Sequence, residues 1–316
     1  MTDYLIVDGL NVFMRHFAAN PTTSGNGESV GGVVGFLRGL KNLIDMFSPN
    51  QVIVAWEGGG SPRRRALDPN YKQSRRPVKL NRWYDEIPST VGNRNQQINM
   101  LIGFLRMGPV HQIYVPDCEA DDVIGYLTGF EFKDKKVVIA TSDKDYYQLI
   151  NDNVTIWSPG QKRLIKSEDV VKKFGVSAKN FCAARCFCGD SSDGISGAQG
   201  VGFKTLAKRF PALSTEEELS VAEIVTVASE LAKTSKLKLY KSIVAHSDRA
   251  KLNWKLMYLG TNNLSADQIN RVKFQIEQVP PKSKKLDFMR MLQKHQIVNF
   301  DVNSYFMSLN LISNSK

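Results

Sequence analysis

Residues 135–145 read KKVVIATSDKD, a lysine pair, an apolar run from Val137 to Ala140, and then a polar turn carrying Asp143 and Asp145. A short run rich in β-branched residues, bounded by polar residues on both sides, reads as a strand buried on both faces. Three similar runs precede it: YLIVD at Tyr4–Asp8, QVIVAW at Gln51–Trp56 and HQIYV at His111–Val115. Between them lie stretches of helical period, such as Val33, Phe36, Leu37, Leu40, Leu43, Ile44 and Phe47, with Lys41 and Asp45 on another face. Strand alternating with helix predicts an α/β fold around a mostly parallel central sheet. NVTIW at Asn153–Trp157 is expected to pair with the short run Arg163–Ile165.

Every one of the four strands ends in acid. Asp8 closes the first, Glu57 follows the second, Glu119, Asp121 and Asp122 follow the third, and Asp143 and Asp145 follow the fourth. In a parallel sheet these positions share one edge, the carboxyl end, where connecting loops form the binding crevice. A lone acid of this kind is more often a helix cap or a solvated loop charge, and Asp121 and Asp122 also suit the opening turn of a helix. Four loops supplying acids together argue otherwise, because their mutual repulsion needs a compensating cation. An all-oxygen donor set selects magnesium or manganese over zinc. Two such ions roughly 4 Å apart activate water and stabilise a leaving oxygen in phosphodiester hydrolysis.

Forty-two Lys and Arg against 31 Asp and Glu give a formal net charge of +11, a field that attracts polyanions. The positive charge is densest in an insertion at about 58–95, where helix and strand patterning both fail. Its core, SPRRRALDPNYKQSRRPVKLNRWY, carries Arg64, Lys72, Arg75 and Arg76 with Tyr71, Trp83 and Tyr84 interleaved. A charge run is usually a solvated face. Aromatics among the charges, next to Glu57, favour a surface that tracks phosphates and stacks bases.

After Ser167 the sequence becomes helical, so residues 1–166 are expected to form the α/β domain and 167–316 a helical one. Within the latter, GDSSDGISGAQGVGFKTLAKRF at Gly189–Phe210 joins two helices through Gly200 and Gly202, with Lys204 and Thr205 in the first turn of the second. Exposed amides there suit a phosphate, although the spacing excludes a Walker A loop. Asp190 and Asp193 either extend the acidic set or cap a turn; spacing alone leaves both readings open. The polar tail from Asn310 is expected to fray.

Cys118, Cys182, Cys186 and Cys188 are expected to be buried thiols in a reducing cytoplasm. The start MTDYLIVDGL lacks the basic region and long apolar run of an export signal, and no stretch approaches the roughly 20 apolar residues of a membrane span.

Taken together, these motifs resemble the flap endonuclease and 5'-to-3' exonuclease family, over about the first 210 residues. VDGLN at Val7–Asn11 is similar to its Asp-Gly-x-Asn element. Glu57, Arg64, Tyr71, Lys72 and Arg75 match its Asp-x6-Arg and Tyr-Lys-x-x-Arg pattern. EADD at Glu119–Asp122 and SDKD at Ser142–Asp145 resemble its principal acid motifs, and the Gly-rich hairpin its helix-three-turn-helix at about 189–210. WSP at Trp157–Pro159 and the later Pro-Pro-Lys look closest to the branch of phage replication nucleases that contains the ribonuclease H of T-even phages.

The resemblance implies a PIN-like α/β fold with a helical duplex-binding domain. Asp8, Glu57, Glu119, Asp121, Asp122, Asp143, Asp145, Asp190 and Asp193 become metal-site residues, and Lys72 and Arg75 catalytic ones. Arg64, Tyr71, Lys72, Arg75, Arg76, Gly200, Gly202, Lys204 and Thr205 become nucleic-acid contacts, with a potassium ion at the hairpin. It further implies a monomeric, magnesium-dependent 5'-nuclease, with manganese able to substitute, acting on flapped, nicked or RNA-primed duplex DNA, including RNA–DNA hybrid. A sliding clamp or single-strand binding protein is the expected kind of partner. The rivals are a PIN-like ribonuclease, which has no need of the hairpin, and a structure-specific DNA-binding protein without catalysis. The sequence departs from the family pattern at Glu57, where Asp is usual, at Lys144, where Gly is usual, and at Gly194 and Ser196, where Asn-x-Pro is usual. Glu57 reaches one methylene farther, and Lys144 adds positive charge beside the acids.

Overall fold

The computed structural model describes residues 2–73 and 90–313. Arg75 and Arg76, together with Trp83 and Tyr84, lie outside the described residues.

Strands β1 (Tyr4–Asp8), β2 (Gln51–Trp56), β3 (Val110–Tyr114), β4 (Val137–Ala140), β5 (Val154–Ser158) and β6 (Arg163–Ile165) form a sheet of order β3-β2-β1-β4-β5-β6. The first five run parallel, and β6 pairs antiparallel with β5 through Ile156 and Ile165. The predicted strands and their mostly parallel arrangement are therefore as expected, with β3 starting one residue earlier than the sequence suggested.

Helices in the first half are α1 (Gly9–Ala19), α2 (Gly31–Phe47), α3 (Pro62–Leu67), α4 (Val91–Leu105) and α5 (Ala120–Tyr126). The second half contributes α6 (Ser167–Phe174), α7 (Ala178–Cys188), α8 (Phe203–Arg209), α9 (Val221–Thr234), α10 (Lys238–Ala245), α11 (Ser247–Met257), α12 (Ala266–Glu277), α13 (Lys285–Lys294) and α14 (Val302–Ser313). Their starts are legible in local chemistry. Ser220 with Glu223 and Ser265 with Gln268 form reciprocal capping boxes that satisfy the first amides of α9 and α12. The insertion is shorter than its patterning implied, because Thr90 accepts from the Asn93 amide and opens α4 at Val91.

Side-chain alternation along the strands splits the interior into two layers. Ile6, Ile53, Ile113, Ile139 and Ile156 face one layer, shared with Phe181, Phe187 and Leu256 of α7 and α11. Leu5, Val7, Val52, Val54 and Val138 face the other, with Phe36, Leu37 and Leu40 of α2, Phe104 of α4, Phe288 of α13 and Leu309 of α14. The apolar interior thus divides along the sheet, and both layers draw on the C-terminal half.

The expected fraying of the tail is corrected as far as Ser313, while residues 314–316 lie outside the described residues. Helix α14 runs on to Ser313, with Leu309 fully buried and Ile312 6% exposed. Each such burial contributes roughly 1.5–3 kcal/mol, enough to hold a terminal turn against the core.

Strand order reverses between β1 and β4, so the crevice outside their carboxyl ends is the topological switch point of the sheet. Asp8 ends β1, and Asp143 follows β4.

Candidate active site

Backbone geometry brings the acid-bearing loops together. Asp8 caps α1, accepting from the Asn11 amide at 3.2 Å, while its other oxygen accepts from the Thr141 hydroxyl at 3.1 Å. Thr141 Oγ1 also accepts from the Asp143 amide at 3.1 Å, and Asp143 in turn accepts from the Asp145 amide at 2.9 Å. The ends of β1 and β4 are therefore linked through one buried hydroxyl. Across β1, Gly58 approaches β3 so closely that a Cβ there would stand 1.7 Å from the Val115 carbonyl. Its amide donates to the Cys118 carbonyl at 3.1 Å, and Glu57 Oε2 accepts from the Ala120 amide at 3.4 Å. Glu57 is thereby set beside the first turn of α5.

Glu119 caps the front of α5 and is surrounded by donors. Its Oε2 accepts from Arg64 at 2.6 Å, from Lys72 Nζ at 2.6 Å and from the Tyr71 hydroxyl at 3.0 Å. Arg64 also reaches Asp121 at 3.3 Å and grips both oxygens of Asp122 at 2.9 and 2.7 Å. Asp122 receives a further 2.8 Å hydrogen bond from the Asn263 amide group.

Asp190 and Asp193 come from the hairpin between α7 and α8. Gly189, with φ +73°, takes a conformation that side chains rarely adopt, and the turn closes through paired Asp190–Ile195 backbone bonds of 2.8 Å. Oxygens of Asp145, Asp190 and Asp193 lie within 4.8 Å of one another. They border an open cavity of 530 Å³ lined also by Asp143, Lys144 and Arg185. Between the acids stands Arg185 of α7, 2.6 Å from Asp145 Oδ1 and paired with Asp190.

Nine acids face three buried or half-buried bases, Arg64, Lys72 and Arg185, so nine less three leaves an excess of six negative charges if all ionise. The carboxyl pKa values register the strain. Burial, then Asp143, raises Asp8 to about 7. Burial, then Asp121 and Asp8, raises Glu57 to about 8. Burial and neighbouring acids lift Asp122 and Asp145 to about 7, against the pull of Arg64 and Arg185 respectively, and Asp143 is raised by burial as well. Burial alone would also raise Asp121 and Asp190, but the Arg64 and Lys72 charges hold Asp121 low, and Ser192 and Arg185 hold Asp190 low. Acids this costly to ionise fit a site completed by cations. With no Cys or His in the cluster of Asp145, Asp190 and Asp193, the donor set suits hard divalent ions. A larger apolar groove of 740 Å³ opens beside Glu57 and Trp56 but brings together none of the other acids.

Two expected nucleic-acid contacts are corrected. Arg64 is fully buried and Tyr71 6% exposed, so neither side chain reaches a surface where a strand could lie. Both were read as surface residues because basic and aromatic side chains are interleaved along the segment; in fact Arg63 and Arg65 are exposed and Arg64 is buried. Lys72 lies at the acids, whereas Lys204 and Thr205 are exposed at the start of α8. Open space faces Gly200 and Gly202, and Gly200 has φ +74°. Lys144, the departure beside the acids, is exposed on the cavity rim.

Arg185, Thr141 and Asn263 were not anticipated. Arg185 left a visible signal, a single charge inside the apolar helix FCAARCFC. Thr141 and Asn263 left none, since a hydroxyl and an amide are ordinary in loops.

The chain matches the family described as the 5'-3' exonuclease N-terminal resolvase-like domain over residues 3–175. A 5'-3' exonuclease of Aquifex aeolicus is 31% identical over 207 residues, which is 65% of this chain and 68% of that protein. The flap endonuclease Xni of Shewanella halifaxensis is 26% identical over 282 residues, 88% of this chain and 100% of that protein. In fold, the chain is similar to the T5 D15 protein co-crystallised with metal ions, with a TM-score of 0.68 at 19% identity, covering 92% of this chain and 99% of that one.

Proposed function

The chain belongs to the 5'-3' exonuclease family, and from that premise we propose that it hydrolyses phosphodiesters near the 5' end of flapped, nicked or RNA-primed duplex DNA during replication. The observation that carries this reading is the convergence of acids from four strand ends and the α7–α8 hairpin around Lys72.

Asp8, Glu57, Glu119, Asp121, Asp143, Asp145, Asp190 and Asp193 would hold divalent metal, magnesium by preference and manganese in its place. Such ions lower the pKa of water and stabilise charge on a leaving oxygen. Asp122 is better read as the partner of Arg64, because that guanidinium and Asn263 already engage its oxygens. Arg64 is a positioning residue: it holds Glu119, Asp121 and Asp122 in one arrangement from beneath. Lys72 brings the positive charge of an ammonium into the acids, where it offsets charge on a scissile phosphate. Arg75, matching the family pattern, is assigned the same task. Arg76, next to it, is proposed to contact the strand.

Residues 1–166 would carry most of the catalytic site and 167–316 the duplex, with Asp190 and Asp193 of the latter completing the metal site. Gly200, Gly202, Lys204 and Thr205 suit a phosphate backbone, because nothing crowds the glycines and a lysine stands beside exposed amides. A potassium ion at that turn, action on RNA–DNA hybrid, a monomeric state, a cytoplasmic setting and a clamp or single-strand binding partner complete the reading. Among the described residues no helix is long and apolar enough to cross a membrane.

The discriminating experiment offers equal amounts of flapped duplex, RNA-primed duplex and free single-stranded RNA in magnesium. Preferential cutting of the two duplex substrates supports the proposal. Faster cleavage of free RNA would favour a PIN-like ribonuclease, and tight binding without cleavage a DNA-binding protein.

A further inference from the structure

The segment from Arg249 to Asn263, covering most of α11 and the turn beyond it, bears none of the acids, yet it is tied by hydrogen bonds or an ion pair to four elements of the site. Arg249 pairs with Asp68 Oδ2 at 2.7 Å. Asp68 organises the turn into Lys72, accepting from the Asn70 amide at 2.9 Å and the Tyr71 amide at 3.0 Å. Asn253, fully buried, donates to the carbonyls of Cys186 at 2.8 Å and Ser196 at 2.9 Å, one on each limb of the hairpin that holds Asp190 and Asp193. Gln148 donates to the Asp145 carbonyl at 2.8 Å and the Met257 carbonyl at 3.0 Å, and accepts from the Leu259 amide at 2.9 Å. Asn263 donates to Asp122 Oδ1 at 2.8 Å and accepts from Arg63 at 2.8 Å, closing the same arrangement at α5.

We infer that this segment is a positioning splint, which fixes the spacing of four site elements, three of them bearing acids that repel one another, and so sets the affinity of the site for divalent cations. Three physical points support it. The ties are directional hydrogen bonds and an ion pair, not apolar contacts alone, and so fix register as well as proximity. There is one for each element: the Lys72 turn, the hairpin, the short 3-10 helix Asp145–Leu149 and the first turn of α5. Three of the elements they join carry acids and would spread from one another without an external tie, while the fourth holds the Lys72 ammonium among them. A site is only as well placed as the shell that supports it, and an ångström of play at a metal or phosphate contact is costly. The inference rests on the metal-dependent reading above for its catalytic consequence, but not for its cation-binding one.

Asn263→Ala is the informative variant, because the residue is half-exposed and its loss leaves Asp122 still paired with Arg64. Gln148→Ala is the companion, acting on the Asp145 side. Manganese binding is measured by calorimetry and cleavage of a flapped duplex by steady-state kinetics, with thermal unfolding as the control for folding. The expected result is manganese affinity weakened about tenfold in each variant. In parallel, kcat falls about tenfold, while KM for DNA stays within about twofold of the unaltered protein. Unchanged manganese affinity in both variants, with folding intact, overturns the inference. A change in KM alone also overturns it, since the segment would then be a DNA contact. If the unaltered protein binds manganese and cleaves nothing, the functional reading fails while the binding comparison still decides the splint.

Discussion

The backbone amide of Lys72 donates to the carbonyl of Asp193 at 2.9 Å, and its ammonium stands 3.9 Å from the carboxylate of the same residue. Lys72 also holds φ at +59°, a conformation that non-glycine residues rarely adopt. The lysine is thus locked by its own backbone to the hairpin, while its side chain spans to Glu119 at 2.6 Å. One residue joins the acids of the sheet edge to those of the helical half.

Lys72→Ala should therefore slow cleavage much more than it weakens DNA binding. The expected loss in kcat is on the order of a hundredfold, typical of a group that stabilises developing charge. Single-turnover rates and equilibrium binding to the same flapped duplex check this; equal losses in both would make Lys72 a simple docking charge.

Asp143→Asn should abolish cleavage and preserve DNA binding. The substitution keeps the oxygen that accepts from the Asp145 amide but removes a charge next to Asp8. Electrophoretic mobility and cleavage measured on one preparation separate the two effects, and retained turnover in magnesium would contradict the role.

Arg64→Met should destabilise the protein by about 3–5 kcal/mol, since removing one partner of a buried ionic cluster leaves the other charges uncompensated. Urea unfolding checks it. The double change with Asp122→Asn should recover part of the loss, because the stranded carboxylate is then gone.

Stability without metal should depend on pH in the opposite sense to an ordinary salt-bridged protein. Asp8, Asp122 and Asp145 at about 7 and Glu57 at about 8 stand above the usual carboxyl range near 4 in an unfolded chain. Between those limits the folded state holds protons that the unfolded state has released, so stability falls as pH rises from about 4 to about 8. Thermal midpoints in chelator should decline across that window, and added magnesium should raise them more at pH 8 than at pH 5.5. A midpoint in chelator that rises across the window would contradict the cluster's electrostatics.

Phe288→Ala should cost about 3–5 kcal/mol without altering the rate per folded molecule. Its ring packs against Phe104, Phe300, Tyr305 and Phe306, on the sheet face away from the acids. Denaturant unfolding and active-site-normalised kinetics read the two quantities separately.

The sheet and its acidic edge were legible because they rest on local signals: a β-branched run such as VVIA, then an acid at its end. The hairpin was legible through its glycines, among which Gly189, Gly194 and Gly200 take positive φ. What the sequence concealed was direction. Arg63, Arg64 and Arg65 are indistinguishable as letters, and only the turn of α3 sends the middle one inward to Glu119, Asp121 and Asp122. The supporting bonds of Thr141, Asn253 and Asn263 were equally hidden, since an amide or hydroxyl gains its meaning from a partner far away in the chain.

The most direct test of the central claim strips the protein with chelator, then restores magnesium in steps on a 5'-labelled flapped duplex while product lengths are mapped. The account predicts no cleavage in chelator and recovery with magnesium, with cuts clustered near the junction or releasing short 5' fragments. Cleavage that persists without divalent ions, or flapped DNA left intact at saturating magnesium, would contradict it.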